Sequence, residues 1–261
     1  MREICQTLGF NKSTFYYQPK LDASEAVLRA EIHRFAAAYP TYGYRRITAL
    51  LLRQGYTVGY KRVSRLMKEE NLSVSVKRVC QTTRSLAGQG PWVNRVENLE
   101  ISQEDQVWVA DITYVRLKER FIYVALLMDV FTRVIKAWHL SRQLNTSLTL
   151  KPLEDALRHS VCEIHHSDQG VQYLSKAYLS VLKAHAIEIS VARRGCPWEN
   201  GYAERLIRTL KEEEVHLNDY ENIHEARERI DHFITQVYHL KRPHSALGGL
   251  TPMEFQRKNL S

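Results

Sequence analysis

The stretch Gln106-Val107-Trp108-Val109-Ala110-Asp111-Ile112-Thr113-Tyr114-Val115-Arg116 decides the fold. It is rich in β-branched and aromatic residues, alternates, and ends on polar ones, as a strand seated in a sheet does. Two similar runs follow, Arg120–Val130 and Arg133–Leu140. Lys118-Glu119 and Phe131-Thr132 between them are short enough for hairpin turns. Downstream the pattern changes to a helix from about Asn145 to His159, a strand at Glu163–His166, a helix near Ser175–Ala186 and a strand at Ile187–Val191. Pro197 stands where a first-turn proline belongs and opens a long helix to about Glu214. Three antiparallel strands followed by alternating helix and strand predict an α/β fold over 101–215, a mixed sheet with helices packed on it.

Outward from this core the chain reads as helical. Residues 24–80 place Val27, Leu28, Ile32 and Phe35 at helical spacing, then Ala49, Leu50 and Leu51 before Gly55. A third helix runs from about Gly59 to Glu70, with Asn71 as its C-cap. Val63, Leu66 and Met67 form its buried stripe, and Lys61, Arg62, Arg65 and Lys68 cover the other side. Such a basic outer face suits a recognition helix on a phosphate backbone, and a solvated helix face explains the same residues. Residues 1–20 read as a partial helix-turn-helix or a plain helical hairpin, closed by Pro19. Residues 82–100, with Gly88, Gly90 and Pro91, read as a linker. One more amphipathic helix is expected over 222–240, ahead of a turn-rich end. The domain order is thus 1–20, 21–81, 82–100, 101–215 and a C-terminal helical extension at 216–261.

Charge supports that division. Residues 1–95 carry 16 Lys and Arg against 6 Asp and Glu, a net of +10, whereas the remainder carries 21 against 23. A basic module beside a mildly acidic one suggests nucleic acid as partner. The longest apolar run, Phe121–Met128, is eight residues, far short of the ~20 that a membrane-spanning helix needs. The N-terminus lacks an apolar signal region. The four cysteines, at 5, 80, 162 and 196, form no C-x-x-C pair, which disfavours a disulfide framework or a zinc site and fits a reducing, cytoplasmic setting.

Three carboxylates stand out by position. Asp111 interrupts the first strand, Asp168 follows the fourth, and Glu204 lies on the long helix. A central strand, the end of its neighbour and an adjacent helix can bring all three to one sheet edge. Oxygen ligands of this kind suit Mg²⁺ or Mn²⁺, and a pair of such ions suits phosphodiester cleavage. Asn200, Glu204, Arg208 and Lys211 recur on one helix face, with Arg208 and Lys211 placed to hold a nucleic-acid backbone. Taken singly, each acid could equally cap a turn, pair with an Arg or face solvent.

Asp168 and Glu204 are separated by 35 residues, and with Asp111 this spacing resembles the acidic triad of the retroviral-integrase superfamily of DNA transposases. Trp108-Val109-Ala110-Asp111-Ile112-Thr113, His166-Ser167-Asp168-Gln169-Gly170 and Asn200-Gly201-Tyr202-Ala203-Glu204 resemble the three triad blocks of OrfB-type insertion-sequence transposases. Thr41-Tyr42-Gly43-Tyr44-Arg45-Arg46-Ile47 and Lys61–Met67 resemble that family's helical domain. Arg242-Pro243-His244-Ser245-Ala246-Leu247-Gly248 with Leu250-Thr251-Pro252 resembles its C-terminal block. Departures fall at Glu199, Gly201 and Arg205, where the family has Asp, Ala and Ser.

The resemblance implies an RNase H-like mixed-sheet catalytic core, an all-helical N-terminal DNA-binding region and a helical C-terminal tail. It implies a transposase that cleaves insertion-sequence ends and transfers the 3′-ends to a target, with Asp111, Asp168 and Glu204 holding two Mg²⁺ or Mn²⁺ ions. An RNase H-like nuclease and a transposase-derived regulator are the alternatives. Expected DNA contacts are Arg45, Arg46, Lys61, Arg62, Arg65, Lys68, Asn200, Arg208 and Lys211. His166 is a candidate for orienting metal ligands or a plain strand-end residue. Implied partners are double-stranded DNA, a second copy of the chain on DNA, and an upstream-frame helix-turn-helix and leucine-zipper protein, in a bacterial nucleoid. Trp108 is expected in the core. Trp198 is poised between core and base stacking, and Arg242 and His244 between touching DNA and fastening the tail.

Overall fold

The computed structural model describes residues 23–74, 92–118 and 120–260. The partial helix-turn-helix expected over 1–20 lies outside them. The chain forms two compact units, divided between residues 75 and 76.

The first unit is a three-helix cluster of α1 (Ala23–Ala38), α2 (Tyr44–Arg53) and α3 (Tyr60–Glu69). Leu28, Ile32 and Phe35 from α1 meet Ile47, Leu50 and Leu51 from α2 and Val63, Leu66 and Met67 from α3. These positions recur at three- and four-residue spacing, so each helix presents one apolar stripe to the shared core. Asn71 ends α3 in the left-handed region at φ 55°, and the Leu72 amide donates back to the Met67 carbonyl at 2.8 Å.

The second unit is built on a five-stranded sheet of order β3-β2-β1-β4-β5. Its strands are β1 (Val107–Arg116), β2 (Phe121–Asp129), β3 (Ile135–Ser141), β4 (Ile164–Ser167) and β5 (Glu188–Val191). The first three are antiparallel neighbours, and β4 and β5 run parallel to β1. Alternation along β1 sorts its side chains between two layers. Trp108 and Ala110 pack with α4 (Thr146–Leu157) and α5 (Lys176–Ala184). Val107 and Val109 pack on the opposite side with α6 (Gly201–Glu213) and α7 (Ile223–His232). At the β2–β3 turn, the buried Asp129 takes the Thr132 amide and hydroxyl on Oδ1, both at 2.6 Å, and the Asp105 amide on Oδ2 at 2.9 Å.

Four segments depart from expectation. Residues 92–100, read as part of a linker, pack on the core: Arg95 N–H donates to Ser190 Oγ at 2.8 Å, Val191 N–H donates to the Val93 carbonyl at 3.0 Å, and Val96 and Leu99 join the apolar layer. They thereby cover the β5 edge, which would otherwise offer unpaired backbone. Pro197 opens a 3-10 turn, Pro197–Asn200, before α6 begins. The helix expected over 222–240 changes after His232 to a π-helical stretch, Phe233–Tyr238, which seats Phe233, Ile234 and Tyr238 in the core. The tail does turn at Gly248 and Gly249, both left-handed, but then forms α8 (Pro252–Leu260). No helix among the described residues is long and apolar enough to cross a membrane.

Candidate active site

The parallel pairing of β1 with β4 assembles the first part of the site. Ala110 is in register with Ser167, so Asp111, in the middle of β1, and Asp168, just past the end of β4, are the next residues along two adjacent, parallel strands. Each carboxylate is anchored by one backbone amide. Asp111 Oδ1 accepts from Ile112 N–H at 2.7 Å, and Asp168 Oδ1 accepts from Gly170 N–H at 2.9 Å. Gly170 is required for that second anchor, because a Cβ there would stand 2.9 Å from Asp168 Oδ1 and 3.3 Å from the Tyr173 ring.

Burial pushes the Asp111 carboxyl up to about 8, the Asp168 charge beside it pushes the same way, and the Ile112 amide opposes both. Asp168 reaches solvent at the strand end, yet the protein packed round its carboxyl still raises its pKa, against the Gly170 amide. Two carboxylates side by side with no cation between them are poorly compensated, which is the electrostatic condition a bound divalent cation relieves.

Glu204 comes from the first turn of α6, half-buried, and burial raises its pKa while Arg208 lowers it. Its charge adds to the upward push on Asp111, so it flanks the pair. Among the described residues no three His, Cys, Asp or Glu side chains converge closely enough to share one ion. The structure therefore brings together Asp111 and Asp168 and leaves Glu204 beside them. The all-oxygen donor set is of the kind that suits a hard cation.

The start of α6 is tied to the sheet by residues that touch no reacting group. Asn200 Nδ2 donates to the Ala110 carbonyl at 3.2 Å, next to Asp111. This corrects the expectation that Asn200 contacts DNA: its side chain is buried, because the 3-10 turn points it at β1 instead of along the outer face of α6. The buried His166 spans β5 and the same turn, with Nδ1 2.8 Å from Ser190 Oγ and Nε2 3.1 Å from the Glu199 carbonyl. Burial lowers its pKa, so it bonds there as a neutral ring. Glu199, in turn, accepts from the Arg193 amide at 2.6 Å and pairs with the Arg193 guanidinium.

On the outer face of α6, Arg208 is exposed, and Lys211 lies over the Tyr114 ring with Nζ 4.2 Å from its centroid. Trp198, at the mouth of the same helix, is 69% exposed. Trp108 is fully buried, its Nε1 donating to Asp105 Oδ1 at 2.7 Å. Arg242 fastens the tail. Its Nε donates to both Glu213 oxygens at 3.1 and 3.0 Å, and Nη1 donates to His244 Nε2 at 3.2 Å.

In the helical unit, Lys61, Arg65 and Lys68 are exposed on α3. Arg62 and Arg65 also reach back to Glu25 on α1, at 3.3 and 3.2 Å, and Arg65 bonds Glu69 at 2.7 Å. Arg45 and Arg46 lie over the rings of Tyr44 and Tyr42. Sequence reasoning missed the positioning part of Asn200 and the neighbourhood of Tyr173. A side chain four residues before Glu204 was assigned to the helix face because the periodicity of α6 carries no sign that a tighter turn precedes it.

An Asp within a central strand, a second just past its parallel neighbour and a Glu in the first turn of α6 are the arrangement of an integrase-type core. The integrase core domain family matches residues 102–197 and again 185–252, and the HTH-like domain family matches 22–79. The transposase of insertion sequence element IS629 from Shigella sonnei is 32% identical over 235 residues, 84% of this chain and 79% of that protein. Transposase InsF for insertion sequence IS3A from Escherichia coli is 32% identical over 163 residues, 61% of this chain, and the match spans only 57% of the InsF length. The magnesium-bound catalytic core domain of HTLV-2 integrase superposes on 58% of this chain and 95% of that one, with TM-score 0.47 and 16% identity. The chain belongs to the IS3 family of insertion-sequence transposases.

Proposed function

We propose that this chain is a DNA transposase that cleaves the 3′-ends of an insertion sequence and joins them to target DNA. The observation that carries the reading is the register of Ala110 with Ser167, which sets Asp111 level with Asp168, with Glu204 alongside. These three carboxylates would hold Mg²⁺ or Mn²⁺, two ions in all, with Asp111 and Asp168 as the shared ligands and Glu204 completing the set. Such ions activate the attacking oxygen and stabilise the leaving one at phosphorus.

The protein's own contribution is placement. Asn200 and His166 fix the first turn of α6 against β1 and β4, and thus the height of Glu204 beside the aspartates. Arg208 and Lys211 would hold the phosphodiester backbone along α6. Hydrolysis at the element end leaves a 3′-OH, which then attacks a second phosphodiester in line and displaces its 3′-oxygen. No side chain is needed as a nucleophile. Lys61, Arg65 and Lys68 on α3, with Arg45, Arg46 and Arg62, would bind flanking double-stranded DNA through its phosphates. Two ends must be processed together, so a second copy of the chain on DNA is expected. An upstream-frame helix-turn-helix and leucine-zipper protein would supply further end recognition, all in the bacterial cytoplasm at the nucleoid.

The test uses a supercoiled plasmid carrying the DNA that flanks this gene, with purified protein in Mg²⁺ or Ca²⁺ and Glu204→Gln in parallel. New 3′-ends at the element boundaries followed by joined strands, in Mg²⁺ and absent from the variant, are expected. Nicks without joining would make the chain a nuclease. DNA binding with neither, even after adding the upstream-frame protein, would make it a regulator.

A further inference from the structure

The two most exposed large apolar side chains among the described residues both belong to the segments that carry the acidic site. Val171, three residues past Asp168, is 77% exposed, and Trp198, six residues before Glu204, is 69% exposed. A single apolar side chain on a surface needs no explanation. A tryptophan, however, has one of the largest apolar surfaces to leave in water, and this one is held there by its surroundings.

Trp198 lies in the 3-10 turn Pro197–Asn200, and its carbonyl accepts from the Gly201 amide. The two residues after it are each tied to a strand that leads to an aspartate. The Glu199 carbonyl lies 3.1 Å from Nε2 of His166, two residues before Asp168 on β4. Asn200 Nδ2 donates at 3.2 Å to the carbonyl of Ala110, the residue before Asp111 on β1. The Glu199 carboxylate accepts from the Arg193 amide at 2.6 Å, which fixes the turn from its other side. The backbone that carries the Trp198 ring is therefore fastened beside both aspartates, while the ring itself stays in solvent.

Exposed Arg205 and Arg208 lie on α6, which follows directly. A firmly mounted aromatic ring with cations nearby is the combination that holds an unstacked nucleic-acid base, ring against base and cation against phosphate. Inside a duplex every base face is already covered by its neighbours, and an insertion sequence is cut where its end runs on into flanking DNA. A ring at that place can stack only on a base lifted out of the duplex.

We propose that Trp198 binds substrate by stacking on a base lifted out at the element boundary, which holds the strand to be cut beside Asp111 and Asp168. The inference rests on the transposase reading above.

The experiment measures binding of the full chain, without divalent metal, to a short duplex spanning the element boundary, by fluorescence anisotropy. The duplex is either fully paired or mismatched at the boundary, and the proteins are wild type, Trp198→Ala and Trp198→Tyr. Wild type is expected to prefer the mismatched duplex, whose base is already free to leave the stack. Trp198→Ala should bind that duplex about ten-fold more weakly and lose the preference, whereas Trp198→Tyr keeps most of both. With 2-aminopurine at the mismatch, wild type and Trp198→Tyr should change its fluorescence by stacking on it, and Trp198→Ala should not. Melting temperatures without DNA should be the same for all three proteins. Equal binding of the mismatched duplex by wild type and Trp198→Ala, with equal 2-aminopurine signals, would overturn this inference and leave the transposase reading standing. A Trp198→Ala variant that melts well below wild type would show that the ring serves the fold, and would also overturn it. If wild type binds neither duplex, the DNA reading and this inference fall together.

Discussion

Two sets of acidic side chains lie in the same sheet unit and are treated in opposite ways. Where β4 ends beside β1, the Asp168 charge acts on Asp111, and each of the two is anchored by one backbone amide. At the far end of α6, Glu213 meets a fork from Arg242 at 2.9–3.1 Å, with Thr209 and His244 bonding the same guanidinium. The side chains of Glu213 and Arg242 are only 4% and 5% exposed, so this pair is fully enclosed and fully answered. A compensated buried charge holds structure together, and an uncompensated one is tolerated where chemistry needs it. The two sites are joined by one helix, so what Arg242 secures at one end bears on where Glu204 stands at the other.

Breaking the uncompensated site should cost activity and spare the fold. Asp111→Asn or Asp168→Asn is expected to lower end cleavage by at least 10²–10³-fold, the order seen when one electrostatic stabiliser is lost. Metal-free melting temperature should stay level or rise, because like-charge repulsion is relieved. A loss of fold together with activity would put these aspartates in the same class as Glu213.

The opposite substitution should give the opposite split. Arg242→Met leaves Glu213 buried without its partner and is expected to cost about 3–5 kcal/mol, whereas Arg242→Met with Glu213→Leu should recover most of that. Chemical denaturation of the single and double variants measures both values. If the single variant unfolds no more easily than wild type, the pair is not structural, and its place in the tail needs another explanation.

The comparison also predicts a pH dependence. Asp111 titrates at about 3.9 in an unfolded chain and is held at about 8 in the fold. A raised folded-state pKa favours the fold while the proton is on. Its contribution is complete below the unfolded value and is lost as pH rises through about 8. Metal-free wild type should therefore fall behind Asp111→Asn progressively between pH 4 and pH 8, by melting temperature, and the gap should level off above that. A constant gap across the range would mean that Asp111 ionises normally.

Much of this was legible in the sequence, for reasons that differ by region. The period-two pattern around Asp111 and the hairpin spacings carried the sheet, because strand alternation and burial on two faces leave a direct mark. The placement of Asp111 beside Asp168 followed from one parallel pairing. What stayed hidden were contacts that cross the fold. Asn200 looked like a surface residue of α6 until its turn proved tighter than α-helical. Residues 92–100 looked like linker because covering an edge strand needs only backbone groups and a few apolar side chains. Arg242 could have touched DNA as readily as Glu213, since nothing in local spacing tells a charge which partner it will find 29 residues away.

The last helix is a case in which the signal was present and went unread. Thr251-Pro252-Met253-Glu254 has a capping residue, a first-turn proline and a glutamate three residues on. Thr251 N–H donates to Glu254 Oε2 at 2.8 Å, and Glu254 N–H donates to Thr251 Oγ1 at 3.2 Å. Glu254 is thus a third kind of acid, bonded to the backbone of its own helix start and near the surface, and its charge is expected to matter less than that hydrogen bond. Thr251→Ala is expected to cost about 1 kcal/mol, and Glu254→Gln less, because a glutamine amide oxygen can still accept from Thr251. Melting curves of the two variants decide it. A larger loss from Glu254→Gln than from Thr251→Ala would mean that the charge itself is compensated, and Glu254 would then belong with Glu213.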